Sequence, residues 1–282
     1  MKTEKENNHT GSCRIYVGTS GYSYTEWIDA GFYPPETRSG DMLRFYAEHF
    51  STAELNYTWY QMPRPETVKR QLSLVPSDFL FASKLTRILT HEIDPQHWQT
   101  EASAYRNGIA PLLQARQLAA VLIQLPPYFN RTPSNRKYLA SLLNELHGLP
   151  LAVEFRHLSW ANERVFDELK QRRVTLVSVD EPDLPGLFPA LDILTNTDMF
   201  YVRFHGRNTR GWRSGNLQHQ FDYDYTEDEL SEWIESKIIP MASKADKGLI
   251  FFNNHVSGQA ARNAAALIDL LKQQGLEVAG YA

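Results

Sequence analysis

The stretch Leu151-Ala152-Val153-Glu154-Phe155-Arg156 is a short apolar run that ends in charged residues. Runs of this kind recur about eight times along the chain, and stretches with helical periodicity separate most of them. Such alternation is typical of parallel strands joined by crossover helices. The other runs are residues 15–20, 51–57, 79–84, 118–125, 174–180, 200–205 and 249–254.

Eight strand-helix units in a chain of 282 residues predict one α/β domain, a TIM (β/α)8-like barrel. No linker rich in Pro, Gly or Ser divides the chain, so we predict a single domain over residues 13–282. The segment Met1–Thr10 is polar and lacks the apolar centre of a signal peptide. We therefore expect residues 1–12 to be a disordered tail. Ser134 is expected to cap the helix that continues to Leu146.

Composition excludes several classes of protein. The formal net charge is -4 and the pI is about 6.1, so no overall basic field draws the chain to nucleic acid or to an anionic membrane. No run approaches the ~20 apolar residues of a membrane span, which predicts no membrane partner. The single cysteine, Cys13, excludes an internal disulfide and a cysteine-based zinc cluster. The simplest location for such a chain is the cytoplasm.

The polar residues at the strand ends define the candidate site, because barrels of this type act where strands end and loops begin. Residues two apart on a strand share one face, and charged groups packed against helices would be costly unless paired. The pairs that share a face are Glu54 with Asn56, Glu154 with Arg156, and Arg203 with His205. We expect their charged members to point into the barrel mouth. Further candidates at strand ends are Lys84, Gln124, Asp180 and Asn254.

Three kinds of chemistry fit this set of residues. Arginine forks bind phosphate or carboxylate, which predicts an anion-binding cleft. A glutamate or histidine beside a cation can transfer protons. Glutamate and aspartate with one or two histidines can also hold a divalent metal, although the sequence lacks HxH, HExxH and Cys-His spacings. The same charged residues can instead form structural ion pairs between the layers of the barrel. No cofactor is identified by the sequence, and no metal ligands are assigned.

Two sets of residues are predicted for the site. The catalytic candidates are Glu154, His205, Lys84 and Asp180. The ligand-binding candidates are Glu54, Asn56, Tyr57, Gln124, Arg156, Trp160, Arg203, Arg207, Asn253, Asn254 and Ser257. Asn253, Asn254 and the helix start near Ser257 are included because barrels often hold phosphate in the loops after strands seven and eight. Lys84 could also form a Schiff base, which requires a cationic or apolar environment.

Seven segments resemble the DUF72 family, also called YecE-like, in the same order along the chain. They are VGTSGYSY (17–24), AELNYTWYQMP (53–63), FLFASKLTRILTHE (79–92), VLIQLPPYF (121–129), AVEFRHLSW (152–160), YVRFHGR (201–207) and FFNNHVSGQAARNA (251–264). The resemblance covers residues 15–271 and implies a TIM-barrel-like fold. It implies no particular reaction, so no catalytic residue is carried over from it.

Three hypotheses about function follow from the sequence. The leading one is an enzyme with hydrolase-like or proton-transfer chemistry, acting on a phosphorylated or other anionic small molecule through Glu154 and His205. The second is a barrel that binds or processes nucleic acid, suggested by aromatic residues near the mouth and by an arginine-bearing segment with Arg203, Arg207, Arg210 and Arg213. The third is a non-catalytic binding protein or scaffold on an enzyme-like fold. The sequence does not indicate the oligomeric state.

Overall fold

A computed structural model describes residues 12–280, without the side chain of Leu217. The predicted disordered tail therefore lies outside the described residues, apart from Ser12. Eight parallel strands form a single sheet in the order β1-β8-β7-β6-β5-β4-β3-β2. The strands are β1 Arg14–Thr19, β2 Thr52–Leu55, β3 Leu80–Lys84, β4 Leu118–Gln124, β5 Leu151–Glu154, β6 Thr175–Asp180, β7 Phe200–Phe204 and β8 Lys247–Phe252.

The sheet closes on itself between β1 and β2. A parallel bridge joins Ser20 to Glu54, and the Gly21 backbone N–H donates to the Glu54 carbonyl oxygen at 2.9 Å. This seam is tight, because a Cβ on Gly18 would lie 2.2 Å from the Thr52 carbonyl oxygen. Only glycine therefore fits at this position. Because the pairing of β1 with β2 closes the sheet, the predicted (β/α)8 barrel is confirmed.

Helices surround the barrel and occupy most of the connections. They are α1 Glu26–Asp29, α2 Met42–Ala47, α3 Tyr57–Tyr60, α4 Pro65–Leu72, α5 Trp98–Gln114, α6 Pro133–Glu145, α7 Glu163–Arg172, α8 Thr209–Arg213, α9 Leu217–Gln220, α10 Glu227–Trp233, α11 Ile239–Ala242 and α12 Gln259–Gln273. The predicted cap of α6 is wrong: Thr132, and not Ser134, accepts the Asn135 N–H at 3.2 Å. Pro133 fixes the first helical position, so the helix begins two residues earlier than expected.

Strand alternation separates two apolar layers. Inside the barrel, Ala82, Ala152 and Val179 belong to a small cluster that fills the lumen. Their strand neighbours Phe81 and Val153 belong to the larger cluster between the sheet and the helices. Side chains that lie an even number of residues from a lumen residue share its face of the strand. At the carboxyl end of a strand, such side chains therefore face the mouth of the barrel.

None of the helices within residues 12–280 combines the length and the apolar character that crossing a bilayer requires.

Candidate active site

The mouth of the barrel collects polar side chains from all eight strands. Each one continues the lumen face of its strand by steps of two, above the apolar layer. The mouth residues are Ser20, Glu54, Lys84, Gln124, Glu154, Arg156, Glu181, Tyr201, Arg203, His205 and Asn253. The sequence predicted most of them. Ser20, Glu181 and Tyr201 are additions from the structure.

Arg203 forms the floor of the mouth and is completely buried. Its Nη2 donates to Glu54 Oε1 at 2.7 Å and to Ser20 Oγ at 3.0 Å, and its Nη1 donates to Glu154 Oε2 at 2.7 Å. The Tyr201 hydroxyl donates to the other Glu54 oxygen at 2.6 Å. Burial alone would lower the pKa of Arg203, but Glu154 and Glu54 raise it above its ordinary value. Arg203 is thus a permanent cation that two carboxylates neutralise.

Glu154 joins this floor to a second layer formed by Arg156 and His205. Arg156 Nε donates to Glu154 Oε1, and Arg156 Nη2 donates to His205 Nε2 at 2.9 Å. His205 Nε2 also lies 3.2 Å from Glu154 Oε1, and Asn253 Nδ2 lies 3.1 Å from His205 Nδ1. The imidazole ring is therefore held in place by contacts at both of its nitrogens.

The pKa values of Glu154 and His205 both lie below those of isolated groups, for different reasons. Burial would raise the pKa of Glu154, but Arg156 and Arg203 bring it well below its ordinary value. Burial, with Arg156 alongside, holds the pKa of His205 well below its ordinary value. At neutral pH Glu154 is therefore a carboxylate that orients its neighbours, and His205 is an uncharged imidazole that can accept a proton.

Glu181 is the third carboxyl group of the mouth and the least satisfied one. Arg156 Nη1 donates to its Oε2 at 2.5 Å, whereas no described residue donates to its buried Oε1. Its side chain is only 3% exposed. Burial raises the pKa of Glu181 to about 7, an effect that Arg156 opposes and Glu154 reinforces. Glu181 therefore changes its charge near neutral pH, which is a property of many catalytic acids and bases.

Lys84 is the third cation of the mouth and differs from the two arginines. Among the described residues, no hydrogen bond or ion pair to its Nζ is found. The ammonium lies 5.3 Å from the centre of the Trp59 ring. Burial, and then repulsion by Arg203, lower the pKa of Lys84 to about 7.

The loop after β7 covers part of the mouth. Trp212 lies over Arg156 at 5.5 Å, and the Phe221 ring is centred 6.2 Å from that of His205. On the other side, Trp59 makes an edge contact with Tyr60 and another with His91. Aromatic rings therefore flank the polar cluster on two sides.

Several predicted site residues lie on the outer face of the sheet or beyond it. Asp180 accepts hydrogen bonds from Arg207, from the Tyr225 hydroxyl at 2.6 Å and from the Trp233 indole. Asn254 donates to the Tyr223 carbonyl oxygen and to Asn263, both at 2.7 Å. The structure therefore brings neither Asp180 nor Asn254 into the mouth.

The remaining candidates are distributed as follows. Tyr57 donates to Gln71 at 3.1 Å, and the Trp160 indole donates to the Phe129 carbonyl oxygen at 2.6 Å, so both pack outside the mouth. Ser257 is exposed at the start of the last helix. Asn56 borders the mouth, where its Nδ2 donates to the Ser20 carbonyl oxygen at 3.2 Å. Gln124 is paired in register with Glu154 on the lumen face.

A resident metal ion does not fit the arrangement of these side chains. Within residues 12–280, no group of three or more His, Cys, Asp or Glu side chains is placed to hold a metal. Both Glu54 and Glu154 already accept hydrogen bonds at both oxygens, mainly from arginines. Cations of the chain therefore occupy the positions that a metal would need.

The fold and site define a (β/α)8 barrel with a cluster of charged side chains at the carboxyl ends of its strands, where enzymes of this architecture have their active sites. A family model described as "Protein of unknown function DUF72" matches residues 16–280. The chain belongs to this family, and the resemblance noted in the sequence is confirmed.

Named relatives and solved structures agree with this membership. The UPF0759 protein YunF of Bacillus subtilis is 28% identical over 271 residues, which cover 91% of this chain and 94% of YunF. A DUF72 family crystal structure from Thermotoga maritima matches with a TM-score of 0.82 and 34% identity, over 92% of this chain and 99% of that one. A second, from Enterococcus faecalis, has a TM-score of 0.82 and 27% identity, over 92% and 95%.

Proposed function

We propose that this protein is an enzyme that binds a small anionic molecule in the barrel mouth and carries out proton-transfer or hydrolytic chemistry on it. The observation that carries the proposal is the Arg156–Glu181 pair, in which a buried carboxyl with one unpaired oxygen accepts a hydrogen bond from Arg156 Nη1. The proposed setting is the cytoplasm, as the sequence suggests.

Glu181 serves in this proposal as an internal substitute for the anion. Its Oε2 lies 2.5 Å from Arg156 Nη1, where the oxygen of a phosphate or carboxylate ligand would bind. Two anions cannot share this position, because like charges a few ångströms apart repel strongly in a buried site. A ligand anion therefore binds most tightly when Glu181 is protonated.

The neighbouring groups supply the chemistry. His205 is uncharged and its Nε2 accepts from Arg156 Nη2 at 2.9 Å, so it becomes available as a base when a bound anion takes over that N–H of Arg156. Glu154 fixes the position of both Arg156 and His205 and stabilises the imidazolium that forms when His205 takes a proton. Glu154 therefore has an orienting role, and His205 transfers the proton.

The experiment is to measure sulfate and inorganic phosphate binding by isothermal calorimetry in the wild type and in Glu181→Gln. At pH 8, a carboxyl group with a pKa near 7 is protonated in about a tenth of the molecules, so the wild type should bind about tenfold more weakly than Glu181→Gln. At pH 6 the two proteins should bind alike. A gain in affinity is a useful readout because misfolding does not produce one.

Glu168→Gln is the matched control, because Glu168 accepts from Arg172 at 2.6 Å on an exposed helix surface away from the mouth. It should bind sulfate as the wild type does at both pH values. If Glu181→Gln bound sulfate no better than the wild type at pH 8, the proposed anion position would be wrong. If neither anion bound at all, a scaffold or partner-binding function would take precedence.

A nucleic-acid function is the second candidate, and exposed aromatic rings favour it. Tyr60 and Tyr128 are 62% and 68% exposed, and His91 and Trp59 connect them beside the mouth. Against it, Arg207 of the adjacent loop is engaged by Asp180. This candidate predicts that single-stranded oligonucleotides bind with an affinity that falls steeply with salt and in Tyr60→Ala. Weak binding that is insensitive to salt would eliminate it.

A further inference from the structure

We propose that Lys84 is a covalent catalytic residue, whose amine forms an imine with a ketone or aldehyde that also carries an anionic group. The proposal rests on the proposed function above, because Arg156 holds the anionic group of the same molecule. It adds the substrate class, a carbonyl compound such as a 2-oxo acid or a keto phosphate, and it adds the covalent step.

The position of Lys84 is the first argument. It is the last residue of β3 and has the parity of Ala82, which lies in the lumen. Its strand neighbour Ser83 faces outward, where its hydroxyl lies 2.7 Å from that of Tyr105 on α5. The amine of Lys84 is therefore directed into the mouth, at the end of the barrel where this fold places its reactive groups.

The environment of the amine is the second argument. Arg156 and Arg203 are each paired with carboxylates, whereas no described residue pairs with the Nζ of Lys84. A lysine that forms imines must be uncharged to attack, and either a neighbouring cation or an apolar surface can deprotonate it. Lys84 is buried, and Arg203 and Arg156 repel its charge, which together outweigh the attraction of Glu54 and Glu154 and the cation–π contact with Trp59. A pKa of about 7 means that about half of the amines are neutral at that pH.

The distance between Lys84 and Arg156 is the third argument. β4 lies between β3 and β5 in the sheet, so the backbones that carry these residues are two strand spacings apart, or about 10 Å. Both side chains are long and extend into the same mouth. A molecule that contacts both groups therefore has its carbonyl carbon only a few bonds from its anionic group.

The covalent step is balanced within the site. The lone pair of the Lys84 nitrogen forms a bond to the carbonyl carbon, and the electron pair of the C=O bond moves to the oxygen, which takes up a proton. The nitrogen then loses both of its protons, the oxygen takes up a second proton and leaves as water, and a neutral imine remains. One further proton, from water, gives the iminium ion. The iminium attracts electrons from the adjacent carbon, from which His205 can remove a proton.

The test is reductive trapping of the purified full chain. Wild-type protein is incubated at pH 7 with pyruvate, or with dihydroxyacetone phosphate, in the presence of sodium cyanoborohydride, and is then analysed by intact mass and peptide mapping. The expected result with at least one probe is a single adduct on the peptide that contains Lys84. No adduct with either probe, or adducts spread over surface lysines, would overturn the proposal.

Two variants sharpen the result. Lys84→Arg keeps the positive charge and cannot form an imine, so the adduct should disappear. Lys247→Arg is the matched control, because Lys247 is also partly buried with a lowered pKa but lies at the opposite, amino-terminal end of β8. It should be trapped as the wild type is. An adduct that survives in Lys84→Arg would contradict the proposal.

The two proposals can fail separately. If sulfate binds and depends on Glu181 as expected but no imine is trapped, only the inference about Lys84 is wrong. If Lys84 is trapped while sulfate binding does not depend on Glu181, the covalent chemistry is correct and the anion position is wrong.

Discussion

The substitution Glu181→Gln should remove the contribution of the Glu181 carboxyl group to the pH dependence of the free energy of unfolding. The Glu181 side chain is 3% exposed, and its pKa is raised from 4.5 to about 7, chiefly by burial. At about 1.4 kcal/mol per pH unit, this rise corresponds to about 3 kcal/mol of lost stability once the group is ionised. Glutamine keeps the shape and a hydrogen-bond acceptor for Arg156 but carries no charge.

The direction of the effect follows from proton linkage. The folded state binds the Glu181 proton more tightly than the unfolded state does, so the free energy of unfolding falls as the pH rises from about 4.5 to about 7. Between pH 5 and pH 8, the stability of Glu181→Gln relative to the wild type should therefore increase by about 2.5 kcal/mol.

Urea unfolding followed by tryptophan fluorescence at pH 5, 6, 7 and 8 measures this difference. Comparison with the wild type cancels the titration of other groups, provided that the m-values agree. The Glu168→Gln control should show a difference from the wild type that does not vary with pH. A difference for Glu181→Gln that stays constant from pH 5 to pH 8 would refute the assignment of a near-neutral pKa to Glu181.

Two further substitutions test the floor and the seam of the barrel. Glu54→Gln should lower the free energy of unfolding, measured with urea at pH 7, by about 3–5 kcal/mol, because it removes one of the two carboxylates that neutralise the buried Arg203. A loss below about 1 kcal/mol would show that Glu154 alone is enough to neutralise Arg203. Gly18→Ala should cost about 1–3 kcal/mol in thermal unfolding, because its Cβ would lie 2.2 Å from the Thr52 carbonyl oxygen and 2.9 Å from the Tyr46 hydroxyl. Gly40→Ala, with no atom within 4 Å, is the control and should change stability little; equal effects at the two glycines would contradict the tight seam.

The strand-end charges were predictable because the apolar runs and their parity are visible in the sequence. Glu154 and Arg156, like Arg203 and His205, lie two residues apart on one strand, and the structure brings all four together. For β6 the sequence did not show which acidic residue faces the mouth, because both Asp180 and Glu181 follow the apolar residues of this strand. Val179 lies in the lumen cluster, so Glu181 shares its face and Asp180 faces the helices.

The electrostatic state of the site was not predictable, because it depends on contacts between distant parts of the chain. The charge of Lys84 is controlled by burial in the folded mouth and by Arg203, which the sequence places far from it. Tyr201 lies two residues before Arg203 and therefore shares its face of the strand, so the sequence could have predicted its position. Its role as a hydrogen-bond donor to Glu54 was missed because the residue reads as part of an apolar run.

Proton uptake on sulfate binding tests the central claim most directly, because sulfate keeps its own charge between pH 6 and pH 9. Calorimetric titrations at pH 8 in two buffers with different ionisation enthalpies give the number of protons taken up per bound sulfate. Since Glu181 is ionised in about nine tenths of the free molecules at this pH, the wild type should take up close to one proton. Glu181→Gln should take up close to none. Equal proton uptake by the two proteins would contradict the proposal that a ligand anion replaces the Glu181 carboxylate on Arg156.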